Sequence, residues 1–203
     1  MRVAIVHDYL TQRGGGERVV LSMLRAFPDA PVYTSFYEPG STLSGFDAVK
    51  VRPLPINRIG PLRQRHRLAL PLLAHSFGAL TVEADVVICS SAGWSHGIQT
   101  QGRKVVYCHS PARWLYHQAD RYLGQGRLLV RAALASLQPS LRRWDRRAAL
   151  TAHRYLVNST AIRDSVRHIY GIDAEVLPPP HSIDVNGPKL PVDLIEPGYI
   201  LCV

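Results

Sequence analysis

The sequence lacks any stretch that approaches the roughly 18 consecutive apolar residues of a membrane span, and it has no low-complexity region. The apolar run at the N-terminus is short and interrupted by polar residues, so it does not read as a signal peptide. These absences predict a cytoplasmic protein whose contact with a membrane, if it has one, is peripheral, on the inner face of the cell membrane.

Cysteine is scarce. The three cysteines, Cys89, Cys108 and Cys202, are odd in number and form no C-x-x-C pair. Two of them fall in apolar runs, so we interpret them as reduced cysteines in the core of a cytosolic protein.

The sequence also has no D-x-D pair, and its histidines lack the spacing of zinc ligands. We therefore predict no metal site.

Positive charge is abundant. The 203 residues carry a formal net charge of +9, and 46% of them are hydrophobic, enough for one large domain or one domain plus part of another. Such a charge suggests an anionic partner: nucleic acid, a phosphorylated ligand or a membrane surface. We find no recognition-helix, RNA-binding-sheet or zinc motif, and the basic residues lie on separate elements. A nucleic-acid-binding module is therefore kept only as an alternative, and we expect no nucleic-acid partner.

Short apolar runs alternate with helical patterns along the chain. The predicted strands are 2–7, 32–36, 49–54, 85–90, 103–109, 154–158 and 174–178. Helical spacing occupies 19–27, 62–80 with a kink at Pro71, 127–152 with a bend near Pro139, and the segment from Ser159 to Gly171. Continuous apolar strands separated by helices predict an α/β, Rossmann-like fold with a mostly parallel sheet and helices on both faces.

The domain organisation follows from a change of composition. We predict an N-terminal domain over 1–180 and a proline-rich linker over 181–198. The apolar segment 199–203 then reads as the first strand of a second domain, or alternatively as a strand that joins the edge of the first sheet.

Ligands of parallel sheets bind at the carboxyl ends of the strands, so the residues there are the candidate site. The first strand ends at His7 and Asp8, and the glycines 14–16 precede a helix together with Glu17. Bare backbone amides at a helix N-terminus suit a diphosphate, although a flexible turn without ligand gives the same pattern. A nicotinamide-dependent Rossmann enzyme is a further alternative, but the third glycine of its fingerprint is missing.

The next strand ends supply more polar groups. Ser90 and Ser91 follow one apolar run, with His96 beyond them, either as a substrate loop or as an ordinary turn. His109 ends another run, where its imidazole could bind a sugar hydroxyl or a phosphate, or simply a nearby carbonyl. Ser110, Arg113 and Trp114 follow, of which Arg113 could hold a phosphate and Trp114 offers an apolar face.

Two basic runs stand apart from these strand ends. The first contains Arg58, Arg63, Arg65 and Arg67 with apolar residues between them, and it suits either an anionic membrane surface or a solvated helix face. The second, 142–147, is interrupted by Asp145, and we expect it to form ion pairs along a helix.

Several motifs together resemble glycosyltransferase family 4, the retaining enzymes of the GT-B fold. They are the glycine turn with Glu17, the Ser-Ser segment at 90–97, Y-C-H-S-P-x-R at 107–113, R-x-W-D at 142–145, Y-L-V-N-S at 155–159, V-L-P-P-P at 176–180 and Y-I-L-C-V at 199–203. Within the family, the sequence is most similar to bacterial enzymes that extend O-antigen and exopolysaccharide chains. Two departures are His96, where the family has lysine, and His117, where it has aspartate.

The resemblance implies an N-terminal domain that holds the acceptor and a C-terminal domain that binds a nucleotide-sugar. Gly14, Gly15 and Gly16 with Glu17 would then form the loop for the donor phosphates, and His109 would be the catalytic residue against the sugar. The residues expected to bind the acceptor are His7, Asp8, Ser90, Ser91, His96, Ser110, Arg113 and Trp114.

The same resemblance implies the partners. It suggests a nucleotide-sugar substrate, with GDP-mannose as the first choice, no separate cofactor, and a lipid-linked or saccharide acceptor. We expect His109 to stabilise the transition state by hydrogen bonding without acting as the nucleophile. The chain would also need its own C-terminal domain, so we expect these 203 residues to transfer no sugar alone.

Overall fold

The computed structural model of the chain describes residues 1–64, 69–116 and 128–180. Its strands are β1 (Val3–His7), β2 (Val32–Thr34), β3 (Val51–Pro53), β4 (Val86–Ser91), β5 (Arg103–Cys108), β6 (Arg154–Val157) and β7 (Glu175–Val176). Its helices are α1 (Gly15–Ala26), α2 (Gly60–Gln64), α3 (Leu70–Gly78), α4 (Arg113–Tyr116), α5 (Leu128–Ala149) and α6 (Thr160–Tyr170).

The seven strands form one sheet in the order β3-β2-β1-β4-β5-β6-β7, and every neighbouring pair is parallel. The predicted Rossmann-like α/β fold, with β3 at an edge, is thereby confirmed. The sheet order reverses between β1 and β4, because β2 pairs with one side of β1 and β4 with the other. Ligands of doubly wound sheets bind outside the carboxyl ends of the strands at this kind of crevice.

Both faces of the sheet are covered, which explains why its strands are continuous apolar runs. Alternate residues of β1 point to opposite faces: Val6 packs in the larger core, and Ile5 packs in a smaller core with Val20 and Leu24 of α1. The spacing of Val20 and Leu24 is the helical i, i+4 pattern that places both on the face toward the sheet. Burial on two sides fixes β1 at the centre of the domain.

The boundaries of α6 follow its sequence signals. The Ser159 hydroxyl accepts the N–H of Ile162 at 3.4 Å as N-cap, and the helix ends at Gly171, whose φ of +73° is left-handed. The N–H of Gly171 closes the last turn on the carbonyl of Arg167. This helix agrees with the prediction at both ends.

The segment around Pro71 differs from the predicted single kinked helix over 62–80. The structure has two helices, α2 and α3, and Pro71 lies in the first turn of α3. A proline in the first turn removes no intrahelical hydrogen bond, so it starts a helix instead of bending one. By contrast, α5 continues through Pro139 and ends at Ala149.

Several sequence predictions lie outside the described residues. They concern the linker over 181–198, the strand over 199–203, Cys202, His117, Arg65 and Arg67. The division into an N-terminal domain over 1–180 and a following domain stays a prediction. The two cysteines within the described ranges, Cys89 and Cys108, are buried and free, as expected of reduced core cysteines.

Candidate functional site

Two histidines meet at the carboxyl ends of β1 and β5. His7 pairs with Ser90 in the β1–β4 register, and the Ser90 side chain reaches both imidazoles. Its Oγ lies 3.0 Å from Nδ1 of His7 and 2.8 Å from Nε2 of His109. The two rings stand edge to face with their centroids 6.3 Å apart. His109, the candidate catalytic residue of the sequence analysis, is therefore held beside a second histidine.

The glycine turn lies against these histidines. A Cβ atom built on Gly16 would lie 3.3 Å from Cε1 of His7 and 3.7 Å from Nε2 of His109, whereas none of the described atoms would come within 4 Å of one on Gly15. A larger residue at position 16 would crowd both rings, and Gly15 faces open space. The structure thus brings the predicted phosphate loop and His109 to the same edge of the sheet.

The side chain of Glu17 faces the interior of the turn and not the candidate ligand site. Its side chain is buried, and Oε2 accepts the N–H of Gly14 at 3.0 Å, which is one half of a capping box. Burial raises the pKa of Glu17, and the bonds to its carboxylate offset part of that increase. The Gly14 amide is therefore already used inside the turn, and the amides of Gly15 and Gly16 are the ones at the start of α1.

Burial keeps both histidines neutral near pH 7. Burial and the neighbouring His109 together lower the pKa of His7 to about 3, although the hydrogen bond to the Ser90 carbonyl raises it in part. Burial also lowers the pKa of His109 to about 4. At neutral pH each ring therefore acts as a hydrogen-bonding group without a charge.

Asp8 organises the loop after β4. Its carboxylate accepts three backbone N–H groups, from Ala92 at 2.7 Å, Trp94 at 3.2 Å and Ser95 at 2.7 Å. Burial raises the pKa of Asp8, and the bonds to Ala92 and Ser95 lower it in part. Asp8 is 3% exposed, so it holds the loop in place from the interior of the domain.

The turn in this loop depends on Gly93, whose φ is +146°. A Cβ atom there would lie 2.8 Å from the Cβ of Ala112, so a larger residue would be strained and would also clash with the segment after β5. The loops that follow β4 and β5 are therefore packed directly on each other.

His96 is buried in the interior of the domain. It is 1% exposed; its Nδ1 lies 2.9 Å from Oγ of Ser91, and its Nε2 lies 3.0 Å from Oδ1 of Asp145 without the alignment of a hydrogen bond. Asp145 also accepts the hydroxyls of Tyr116 and Tyr170, both at 2.8 Å. His96, Ser91 and Asp145 thus form a buried polar cluster.

The residues after His109 divide between surface and core. Trp114 is 7% exposed and stacks on Trp94 with ring centroids 5.0 Å apart, so its apolar face is covered by protein. Ser110 is half-buried, and Arg113 is exposed at the start of α4. Of the residues predicted to bind the acceptor in this segment, Ser110 and Arg113 are therefore the ones with appreciable exposed surface.

The first basic run is only partly described. Arg58 is exposed beside Ile59, which is 48% exposed, and Arg63 pairs with Glu38 at 2.7 Å. Arg65 and Arg67 lie outside the described residues. In the second run, the expected helix ion pairs of Asp145 are wrong: its carboxylate faces the core, while the guanidinium of Arg142 donates to the carbonyl of Leu115.

Sequence reasoning missed Lys104 near the start of β5. Its side chain is buried, and Nζ donates to the carbonyls of His96 and Ile98 at 3.0 and 2.6 Å and to Oγ1 of Thr151 at 2.7 Å. Burial lowers the pKa of Lys104. A lysine inside an otherwise apolar strand is the signal that could have indicated a buried, hydrogen-bonded ammonium group.

A cleft of about 820 Å³ opens at the other end of the sheet, at the amino ends of the strands. Met1, Arg2, Tyr33, Arg52 and Glu83 are among the residues that line it. Since the strands are parallel, this cleft lies on the edge opposite His109, and it does not belong to the candidate site.

Over 1–64, 69–116 and 128–180, no group of three or more histidine, cysteine, aspartate or glutamate side chains could hold a metal ion. Within the same ranges, no helix combines the length and the apolar character that crossing a bilayer requires.

Most of this chain matches the model of a known protein family. The family model of Glycosyltransferase Family 4 matches residues 13–185, which include the glycine turn, β4, β5 with His109 after its last residue, and α6. The chain belongs to Glycosyltransferase Family 4. No curated protein matches it significantly in sequence.

Solved structures of similar fold include two complexes of Anabaena HepE. The complex of Anabaena HepE with UDP has a TM-score of 0.54 at 13% identity, and the complex of HepE with UDP-glucose has 0.52 at 16%. Each comparison covers 92% of this chain and 45% of that chain. At this identity the likeness shows the fold: the Rossmann-like N-terminal half of a GT-B glycosyltransferase. The chain thus spans less than half the length of these neighbours.

Proposed function

We propose that this glycosyltransferase domain is the acceptor-side half of a retaining enzyme that moves a sugar from a nucleotide-sugar to a lipid-linked or saccharide acceptor during synthesis of cell-surface polysaccharide. The observation that carries the proposal is the position of His109 beside Gly16, where the order of the sheet reverses. A neutral imidazole and a helix N-terminus share that edge, and sugar transfer needs groups of both kinds.

The two kinds of group have different tasks. The departing diphosphate accumulates negative charge, which the amides of Gly15 and Gly16 and the positive end of the 12-residue α1 would stabilise. His109 would hydrogen-bond the sugar or the phosphate as the bond breaks, without becoming the nucleophile. We propose that this stabilisation needs no metal ion, since the sequence has no D-x-D pair.

The donor is a nucleotide-sugar. HepE has been solved with UDP and with UDP-glucose, which supports this class of donor for a chain of the same fold. Resemblance of the sequence motifs favours GDP-mannose. The two donors can be separated by assaying both, with release of UDP or GDP as the readout.

A second domain would complete the site. The chain covers 45% of HepE, so a donor-binding domain of comparable size would be its partner. We expect the 203 residues alone to transfer no sugar, and a polypeptide that carries them as the first of two domains to transfer it. Robust turnover by the isolated chain would contradict this division of labour.

The role of His109 is tested by His109→Ala in such a two-domain protein. Loss of one hydrogen-bonding group aimed at the transition state should lower kcat about 10²–10³-fold. The matched control is His168→Ala, which removes an exposed imidazole from α6 and should leave kcat unchanged. Near-normal turnover of the His109 variant, with the fold intact by circular dichroism, would exclude His109 from the reaction.

Peripheral membrane binding is the proposal for the basic run. Arg58 and the half-exposed Ile59 offer a charge and an apolar side chain next to each other, which suits the headgroup region of an anionic bilayer and access to a lipid-linked acceptor. Arg58→Glu should reduce co-sedimentation with vesicles containing phosphatidylglycerol, whereas Arg103→Glu, at an exposed site on β5, should not. Salt-dependent binding to random DNA but not to these vesicles would instead favour a nucleic-acid-binding module.

A further inference from the structure

The hydroxyl of Ser90 lies between the two imidazoles of the site and has no access to solvent. Its Oγ is 3.0 Å from Nδ1 of His7 and 2.8 Å from Nε2 of His109, and Ser90 is 0% exposed. A buried hydroxyl must direct its hydrogen to an acceptor within the protein, because leaving it unpaired carries a large desolvation penalty. The neighbours of Ser90 therefore determine where the hydrogens lie.

The proton of His7 can be assigned first. Its Nδ1 also lies 3.1 Å from the carbonyl oxygen of Ser90, and a carbonyl oxygen only accepts. Nδ1 of His7 therefore carries its proton and donates it to Ser90. The same carbonyl accepts the hydroxyl of Ser95 at 3.0 Å, which uses its second lone pair.

The proton of His109 follows by counting donors. Because the Nδ1–H of His7 donates to Oγ of Ser90, that hydroxyl can donate its own hydrogen to Nε2 of His109. Every polar hydrogen of the three side chains' contacts is then paired. If Nε2 of His109 carried a proton instead, Oγ would accept from both rings. Its own hydrogen would then be buried without an acceptor among the described residues, an arrangement that native proteins avoid.

We propose that Ser90 is a positioning residue that holds His109 in the tautomer protonated at Nδ1. The ring then keeps a hydrogen-bond donor for a ligand, and its acceptor nitrogen is occupied by the protein. The ligand group that fits this donor is an electron-rich oxygen, such as a sugar hydroxyl or a phosphate oxygen. This last step rests on the proposed function, whereas the tautomer itself does not.

A charged imidazolium would have no tautomer to select, so the state of charge matters. The pKa values of about 3 for His7 and about 4 for His109 leave both rings neutral in the physiological range. The hydrogen-bond chain from His7 through Ser90 to His109 thus determines which ring nitrogens carry protons.

The test is ¹⁵N NMR of the histidine-labelled 203-residue chain at pH 7.5, in which protonated and unprotonated ring nitrogens resonate apart. We expect Nδ1 of His109 to be protonated and Nε2 to be unprotonated. Ser90→Ala should lower the ratio of the Nδ1–H to the Nε2–H form about five- to tenfold, the effect of losing one hydrogen bond. Ser90→Thr, which keeps the hydroxyl, should retain most of the preference.

A control separates this effect from the loss of any buried hydroxyl. Ser91→Ala removes the hydroxyl that contacts Nδ1 of His96 at 2.9 Å, one residue further along β4, and it should leave the tautomer of His109 unchanged. A wild-type His109 protonated at Nε2, or an unchanged ratio in a folded Ser90→Ala, would overturn the proposal. If Ser90→Ala does not fold, the wild-type spectrum decides.

The two proposals fail in different ways. Absence of sugar transfer from every donor tested would count against the proposed function and leave the tautomer standing. A wrong tautomer in a protein that does transfer sugar would remove the role of Ser90 and leave the reaction assigned to the same edge of the sheet.

Discussion

At the residue scale, Asp8 holds the loop beside the histidines in place. Its two carboxylate oxygens accept three backbone N–H groups of residues 92–95, and a side chain with one oxygen cannot replace them. In Asp8→Asn, the amide NH₂ would face a backbone donor at one of these bonds. The residue that follows His7 thus determines the shape of the loop above the crevice.

We expect Asp8→Asn to lower the free energy of unfolding by about 2–3 kcal/mol, the cost of buried donors that lose a charged acceptor. Urea denaturation followed by circular dichroism measures this change. Asp164→Asn is the control, because that carboxylate is 71% exposed on α6 and its ion pair with Arg163 should contribute little. A change of less than about 0.5 kcal/mol in Asp8→Asn would show that the loop has other anchors.

At the scale of elements, α6 depends on a left-handed residue at its end. Gly171 has φ of +73°, and none of the described atoms would lie within 4 Å of a Cβ atom there. Gly171→Ala therefore tests conformation without a steric clash. It should destabilise the domain by about 1 kcal/mol, while Gly171→Asn should cost less because asparagine tolerates this region better.

The comparison of Gly171→Ala with Gly40→Ala provides the control in the same urea experiment. Gly40 also has open space around its Cβ position among the described residues, but its φ is not in the left-handed region. Equal midpoints for both variants and the wild type would indicate that α6 can end differently from the way it does here.

At the scale of the whole molecule, the two buried histidines make stability depend on pH. The unfolded chain binds protons on both rings as the pH falls through about 6.5, whereas the folded chain does not until about 4 for His109 and about 3 for His7. Stability from these groups is therefore fully present above pH 6.5 and decreases as the pH falls.

We expect the urea concentration at the unfolding midpoint to decrease as the pH is lowered from 7 to 5. In His109→Gln this decrease should be smaller, because one titrating ring is gone. The raised pKa values of Asp8 and Glu17 act in the opposite direction, because the folded chain takes up protons on these carboxyls at a higher pH than the unfolded chain does. The comparison with His109→Gln isolates the histidine contribution: the same pH dependence in that variant and in the wild type would mean that His109 titrates normally in the folded protein.

Much of the fold was predictable because parallel strands and amphipathic helices leave strong periodic signals. Apolar runs in the sequence predicted β1, β4 and β5, and the polar residues at their ends marked the edge of the sheet. Ser159 and Gly171 marked the limits of α6. Placing His109 beside the glycine turn required only the rule that parallel strands end at one edge.

Pairings between distant segments were not predictable. Asp145 looked like part of a solvated charge run, yet it contacts Tyr170 and His96, which lie on other elements. The position of Lys104 in an apolar strand indicated burial, but its partners His96, Ile98 and Thr151 could not be read from the sequence. The groups that satisfy a buried polar residue lie on other segments of the chain, and a single sequence does not show which ones they are.

The sheet order also governs how the domain can form on a ribosome. Ile5 and Val6 of β1 must pair with Ile88 and Cys89 of β4, whose residues are made about 80 positions later. At roughly 5–20 residues per second, the emerging N-terminal segment waits about 4–16 s for its second neighbour. During that interval one edge of the future central strand carries backbone N–H and C=O groups that have no partner strand.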